Sequence, residues 1–139
     1  MLSVKSIGLK DLKILQEFLG SEGKSLDSFR YFNTRPLDII SNHIVTYLIF
    51  LKEKPVAYGH LDKEEGIIWL GIIVAEKYTG MGLGKLLMQL LMVDARIKRV
   101  KCIRLSVDND NKRAIALYKK MGFKLLTLKE KIQFLQLEL

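Results

Sequence analysis

Apolar residues recur along the chain in two rhythms, alternate or near-continuous runs that predict strands and spacings of three and four that predict helices. Leu2–Ile7 reads as a first strand, and Leu9–Leu19 sets Leu12, Leu15 and Phe18/Leu19 on one helical stripe that Gly20 stops. Leu26–Ser41 reads as a second, less regular helical region broken at Pro36. Ile44–Leu51 and Pro55–Leu61 predict a hairpin closed by the polar turn Lys52–Lys54, and Asp62–Glu65 with Gly66 predicts a second turn. Ile67–Val74 is so continuously apolar that it is expected to be the central strand, covered on both faces. Lys85–Ile97 carries a broad helical stripe of Leu86, Leu87, Leu90, Leu91 and Met92; Ile103, Leu105 and Val107 then alternate as a strand. Asp108–Asn111 offers helix caps before Ala114, Leu117, Tyr118 and Met121, with Gly122 placed to end that helix. Phe123–Leu128 and Ile132–Leu139 complete the strands, and a shift in apolar parity between Phe134 and Leu135 predicts a bulge or bend in the last one. The order predicts a mixed sheet with helices on its faces, in which 67–97 and the strand after it form one parallel crossover.

A length of 139 residues suits one domain, and nothing rich in Pro, Gly and Ser divides it. The lone Cys102 cannot close an internal disulfide, and neither it nor the two histidines has metal-ligand spacing, so no metal is expected. The apolar runs are shorter than the roughly 20 residues of a membrane span. The first ten residues mix Lys5 and Lys10 with apolar positions and do not read as a leader, so a cytoplasmic protein without a membrane partner is expected. The net charge of +8 is scattered rather than blocked, with small clusters at 96–101 and 129–131, and no run interleaves it with aromatics. An anionic cofactor or small ligand is the expected source of that bias, not nucleic acid. The apolar last strand, ending at Leu139, is expected to offer an edge to a second copy as a homodimer.

Gly80, Gly82 and Gly84 lie between the central strand and a long helix, where backbone N–H groups and the positive helix end can hold a phosphate. The same glycines would also serve a tight strand-to-helix turn. A nucleotide-hydrolysing P-loop does not fit: the position five before Gly84 is Thr79, and Lys85 is followed by Leu86. A dinucleotide fingerprint from Gly80 would need glycine where Lys85 stands.

Ile73–Gly84 and Asn111–Phe123, read together, resemble the GNAT superfamily of acetyl-CoA-dependent N-acetyltransferases. The first contains a pyrophosphate loop at 79–84, and the second an Asn-x-x-Ala-x-x-Leu-Tyr-x-x-x-Gly-Phe stretch. The resemblance implies an α/β (α+β) acyl-CoA N-acyltransferase fold, a central mixed and mostly antiparallel sheet flanked by helices. It implies acetyl-CoA as cosubstrate: backbone groups of Ile72, Ile73 and Val74 would pair with the pantetheine amides, and the amides of Thr79, Gly80, Met81, Gly82, Leu83, Gly84 and Lys85 would hold the pyrophosphate. Asn111 would contact the pantetheine arm, against its ordinary use as a helix cap, and Tyr118 would protonate the departing thiolate, against its ordinary place in a core. One departure stands out. The first loop position, usually Arg or Gln in the superfamily, is Thr79, so charge would have to come from Lys77 or Lys85.

Amine acetylation further requires a base and an oxyanion donor. Backbone N–H near Ile73–Val74 would serve the oxyanion, and alternation sets Tyr58, His60 and Asp62 on one strand face, with His60 the candidate base and a structural histidine the alternative. Glu64 and Glu65 read as turn residues, Glu76 as solvated, and His43 carries no motif. Arg30, Tyr31 and Phe32, with Arg35, bring cations and aromatics together where an anionic or sugar-like primary amine would sit; core packing with solvated arginines is the alternative. Members of the superfamily also modify protein N-termini and lysines, and a non-catalytic CoA-binding domain is the remaining reading.

Overall fold

The strands β1 (Leu2–Ser6), β2 (Val45–Leu51), β3 (Lys54–Glu64), β4 (Ile67–Val74), β5 (Cys102–Asp108), β6 (Lys124–Lys129) and β7 (Ile132–Glu138) form one seven-stranded sheet in the order β1-β2-β3-β4-β5-β7-β6. This is a computed structural model that describes residues 1–21 and 29–139. Every neighbouring pair is antiparallel except β4–β5, which the crossover helix between them makes parallel. The apolar run at 67–74 is the central strand, as its composition predicts.

Among the described residues three α-helices cover the sheet: α1 (Leu12–Leu19), α2 (Leu83–Ile97) and α3 (Lys112–Lys120). Period-two alternation in β3 divides its side chains between two cores. Tyr58 joins Leu48 and Ile73 under Leu15 and Phe18 of α1. Ala57 and Leu61 face the other way, against Leu87 and Leu91 of α2, and that core runs on through Leu105 and Leu135 to Ile115 and Tyr118 of α3. Full burial of each such Leu contributes about 1.5–3 kcal/mol.

Four expectations change. The helical region expected over 26–41 is two 3₁₀ segments, Tyr31–Asn33 and Leu37–Asn42, with Pro36 capping the second; 26–28 lie outside the described residues. Strand β3 does not turn at Asp62 but runs to Glu64, since Asp62 pairs in register with Trp69 and Glu64 with Ile67. The bulge belongs to β6, where Leu126 is the extra residue between the pairs Leu125–Leu135 and Thr127–Phe134, while β7 itself pairs with β5 without a break. Finally, β7 is an interior strand. The edge is β6, with Leu125 and Leu128 about half exposed (54% and 51%).

One feature of the sheet positions everything that follows. Strands β4 and β5 pair at only two positions, Ile68–Ile103 and Trp69–Arg104. Beyond them β4 follows β3 and β5 follows β7, and a wedge opens between the central strands.

Candidate functional site

A cleft of about 780 Å³ fills that wedge. Ile72, Ile73 and Val74 of β4 line it, as do Thr79, Gly80, Gly82, Leu83, Gly84 and Lys85 of the following loop and helix. Gly80 and Gly82 both have φ of +83°, a left-handed conformation that side chains resist and that turns successive amides to one side. Gly82 is the N-cap of α2 and has no side chain to satisfy the first-turn N–H groups, so those amides are left for a ligand in the cleft. Met81, expected with them, is 53% exposed and does not line the cleft.

Thr79 donates its hydroxyl to the Glu76 carbonyl at 2.9 Å, and as a neutral side chain it offers the cleft no charge. The cation comes from elsewhere. Arg113, in the first turn of α3, brings a guanidinium nitrogen within 3.4 Å of where a Cβ on Gly80 would be. Arg113 and Lys85 line the cleft and Lys77 does not. The donor set therefore fits a diphosphate: amides at a helix start with two flanking cations.

Asn111 caps α3, its side-chain oxygen accepting from Ala114 N–H at 3.3 Å, and it also lines the cleft, so its two expected uses share one place. Tyr118 lies about two turns further along the same helix, 6% exposed, its ring edge-on to Phe123 with centroids 5.9 Å apart. Burial pushes its phenol up to about 12, which keeps it protonated at neutral pH. Its ring lines the cleft, and no hydrogen bond holds its hydroxyl among the described residues.

The α1 side of β3 contributes a different kind of surface. Tyr58, His60 and Asp62 share a face as alternation predicts, and all three are buried. Tyr58 Oη lies 2.6 Å from His60 Nδ1. Tyr58 has no other acceptor among the described residues, so its hydroxyl donates to Nδ1 and leaves His60 protonated at Nε2. That ring lies flat over Gly71, its cross-strand neighbour: a Cβ there would sit 2.7 Å from His60 Cε1 and Nε2. Burial, reinforced by His43 and Arg35, holds the His60 imidazole well below its ordinary pKa.

Tyr31 closes the group from the loop. Its hydroxyl donates to Asp62 Oδ2 at 2.7 Å and meets His43 Nε2 at 2.7 Å, and His43 Nδ1 meets Thr46 Oγ1 at 2.8 Å. A single phenol proton cannot go two ways, so His43 donates from Nε2 and Thr46 donates to Nδ1. Every hydroxyl and imidazole in this chain thus points its proton toward the Asp62 carboxylate. Burial, then the bond to Asp62, raises the Tyr31 phenol well above its usual range, while burial lowers His43 to about 4 against the opposing pull of Asp62.

Of the segment expected to meet a substrate, Arg30, Tyr31 and Arg35 line the cleft; Phe32 turns away into the α1 core, and Phe29 lines the cleft instead. Both arginines are already paired. Arg30 makes a two-pronged contact with Asp108 at 2.9 and 3.1 Å, and Arg35 binds Glu64 at 2.7 Å while stacking 4.2 Å over the Tyr31 ring. Glu64, Glu65, Trp69 and Phe134 complete this side of the cleft. None of Glu64, Glu65, Trp69 and Phe134 stands in a local motif, whereas Arg113 lies within the Asn111–Phe123 stretch, where its first-turn position carries it to the loop.

Comparison with known proteins agrees with this geometry. The profile of the acetyltransferase (GNAT) family matches residues 12–123. A spermine/spermidine N(1)-acetyltransferase from Bacillus subtilis (strain 168) is 38% identical over 64 residues, which cover 45% of this chain and 42% of that relative's length. Among solved structures, the PaiA N-acetyltransferase of Thermoplasma acidophilum in complex with coenzyme A superposes with a TM-score of 0.78 at 16% identity, covering 100% of this chain and 99% of the other. The GNAT domain of S. lividans PAT gives a TM-score of 0.83 at 15% identity, covering 98% and 89%. At these identities the structural matches speak for the fold.

Proposed function

The chain belongs to the acetyltransferase (GNAT) family, and from that premise we propose that it transfers an acetyl group from acetyl-CoA to a primary amine of a small cationic molecule of the polyamine type. The observation that carries the reading is the β4–β5 wedge leading to the uncapped amides of α2, with Arg113 and Lys85 beside them and Tyr118 on the cleft wall. These residues bind, orient and protonate. The helix-start amides and Arg113 hold the pyrophosphate, Asn111 and the edge of β4 hold the pantetheine arm, and the backbone N–H near Ile73 meets the negative charge that develops on the thioester oxygen. Tyr118, kept protonated by burial, gives its proton to the departing sulfur.

Cationic acceptors replace the anionic ones expected above because Arg30 and Arg35 are neutralised by Asp108 and Glu64. What remains on that side is aromatic surface at Trp69, Phe134 and Phe29 with Glu65 at hand, a combination suited to an alkylammonium. The spermine/spermidine activity of the Bacillus subtilis relative supports the same class. Thermal unfolding tests the cofactor: a ligand at about 100 times its Kd adds roughly 2.7 kcal/mol. Acetyl-CoA and CoA are expected to shift the transition while NADH and ATP do not, and spermidine is expected to release free thiol faster than a peptide with a free N-terminus. No shift with either CoA compound removes the reading; faster thiol release with the peptide moves it to proteins.

A further inference from the structure

The reaction needs an amine that has lost its proton, and an alkylammonium arrives with it still attached. His60 is poorly set to take it, because Tyr58 fills its Nδ1 and its Nε2 already carries hydrogen. The neighbouring chain of groups is arranged the other way, with donors stacked toward one carboxylate. Resting on the reading above, we propose that Tyr31 and Asp62 form the relay that deprotonates the acceptor, Tyr31 as the catalytic residue on the cleft wall and Asp62 as the proton acceptor behind it, with His43 and Thr46 as positioning residues.

The step balances within these residues. The ammonium N–H bond breaks as a proton passes to Tyr31 Oη, the Tyr31 O–H bond breaks as its own proton passes to Asp62 Oδ2, and a neutral amine and a neutral carboxylic acid replace an ammonium and a carboxylate. After product leaves, the same path in reverse returns the proton to water in the cleft. The distances suit the transfer, since Tyr31 Oη and Asp62 Oδ2 are 2.7 Å apart and Tyr31 lines the cleft while Asp62 is buried (3% exposed). A phenol raised above its usual range does not stay behind as phenolate, so the proton moves on to the carboxylate.

His43 decides the direction. By donating from Nε2 it takes one lone pair of the phenol oxygen, which leaves the other to meet the ammonium and leaves Tyr31 one place to send its own proton, Asp62. Thr46 holds that tautomer from β2. The other charged or titratable groups facing the trio among the described residues are Arg35, stacked on Tyr31, and Tyr58, His60 and Glu64 of β3. Strand β4 sets only Trp69 and Gly71 opposite Asp62 and His60.

The test compares Asp62→Asn with wild type across pH 6.5–10 and across acceptor amines of falling pKa, with the acetyl-CoA unfolding shift measured in parallel. The expected result is a loss of kcat of about 100-fold or more near pH 7.5. The loss should shrink by about tenfold per pH unit toward the pKa of the amine, and shrink again for less basic amines at fixed pH, with the acetyl-CoA shift unchanged. Tyr31→Phe, which keeps the ring against Arg35 and His60, is expected to show the same profile and covers the case in which Asp62→Asn does not fold. His43→Asn is expected to lose less, with kcat falling more than KM changes. A loss by one constant factor at every pH and for every amine, or no loss, overturns the relay alone. A wild-type protein that acetyl-CoA does not stabilise overturns the parent reading and the relay with it.

Discussion

The loop at 79–85 and the β3 face at 58–62, which reaches the cleft through His60, serve the same cleft and are made of different material. The loop works through main chain: two left-handed glycines and the start of α2 set amides in place, and its one hydroxyl, Thr79, is bonded back to the Glu76 carbonyl. The β3 face works through side chains, with Tyr58 and His60 as one hydrogen-bonded pair and Asp62, Tyr31, His43 and Thr46 as a second group beside it, at 2.6–2.8 Å. A main-chain site tolerates changes of residue type as long as the backbone path survives. A side-chain network does not, because each buried polar group left without its partner costs about 1–3 kcal/mol.

Tyr118 lines the same cleft from α3, and its removal should have the largest effect. Tyr118→Phe is expected to lower kcat by about 100-fold or more with acetyl-CoA affinity unchanged, read by thiol release and by calorimetry. Next is the β3 face itself. Gly71→Ala forces a methyl group into the His60 ring, so a destabilisation of about 1–3 kcal/mol in urea unfolding is expected, whereas Met81→Ala in the loop should be silent. If the two changes proved equal, the contrast between the halves would fail. On the loop side, Arg113→Ala is expected to weaken acetyl-CoA about tenfold and to flatten the salt dependence of its binding, since backbone amides remain.

The smallest effect is a pH dependence that belongs to the β3 face alone. His43 and His60 are held below the ordinary 6.5, so the unfolded chain binds their protons first. Stability is expected to be full above about 6.5 and to fall as pH drops toward 4, visible as a declining Tm between pH 7 and 4.5. His43→Asn should make that decline shallower.

This difference in material also explains what the sequence disclosed. The glycine loop and the strand that feeds it are neighbours along the chain, so their pattern was visible in the sequence, and Asn111 stands where spacing predicts a helix cap. Strand β4 was recognisable because a strand lining a wedge between halves of a sheet must be apolar nearly throughout. Tyr31, His43 and Asp62 are 12 and 31 positions apart where they touch, and no local pattern joins them. The end of β3 was misplaced for a physical reason: Asp62, Lys63 and Glu64 look like a polar turn, but Asp62 is polar because it meets Tyr31 inside the fold. The bulge was assigned to β7 rather than β6 because parity breaks are shared by both strands of a pair, and only the register says which carries the extra residue. Arg30 and Arg35 looked free because their carboxylate partners lie 78 and 29 positions away.

The two paired positions between β4 and β5 have a mechanical meaning as well. The first strand of the chain lies in one half of the sheet and the last strand in the other. Tension applied to the two ends is therefore carried across a seam that the sheet itself rivets at one corner, with α2 and α3 as straps behind it. On the function proposed above, an extended cosubstrate lying along the open part of the seam acts as a removable strand, so its binding is expected to stiffen the sheet.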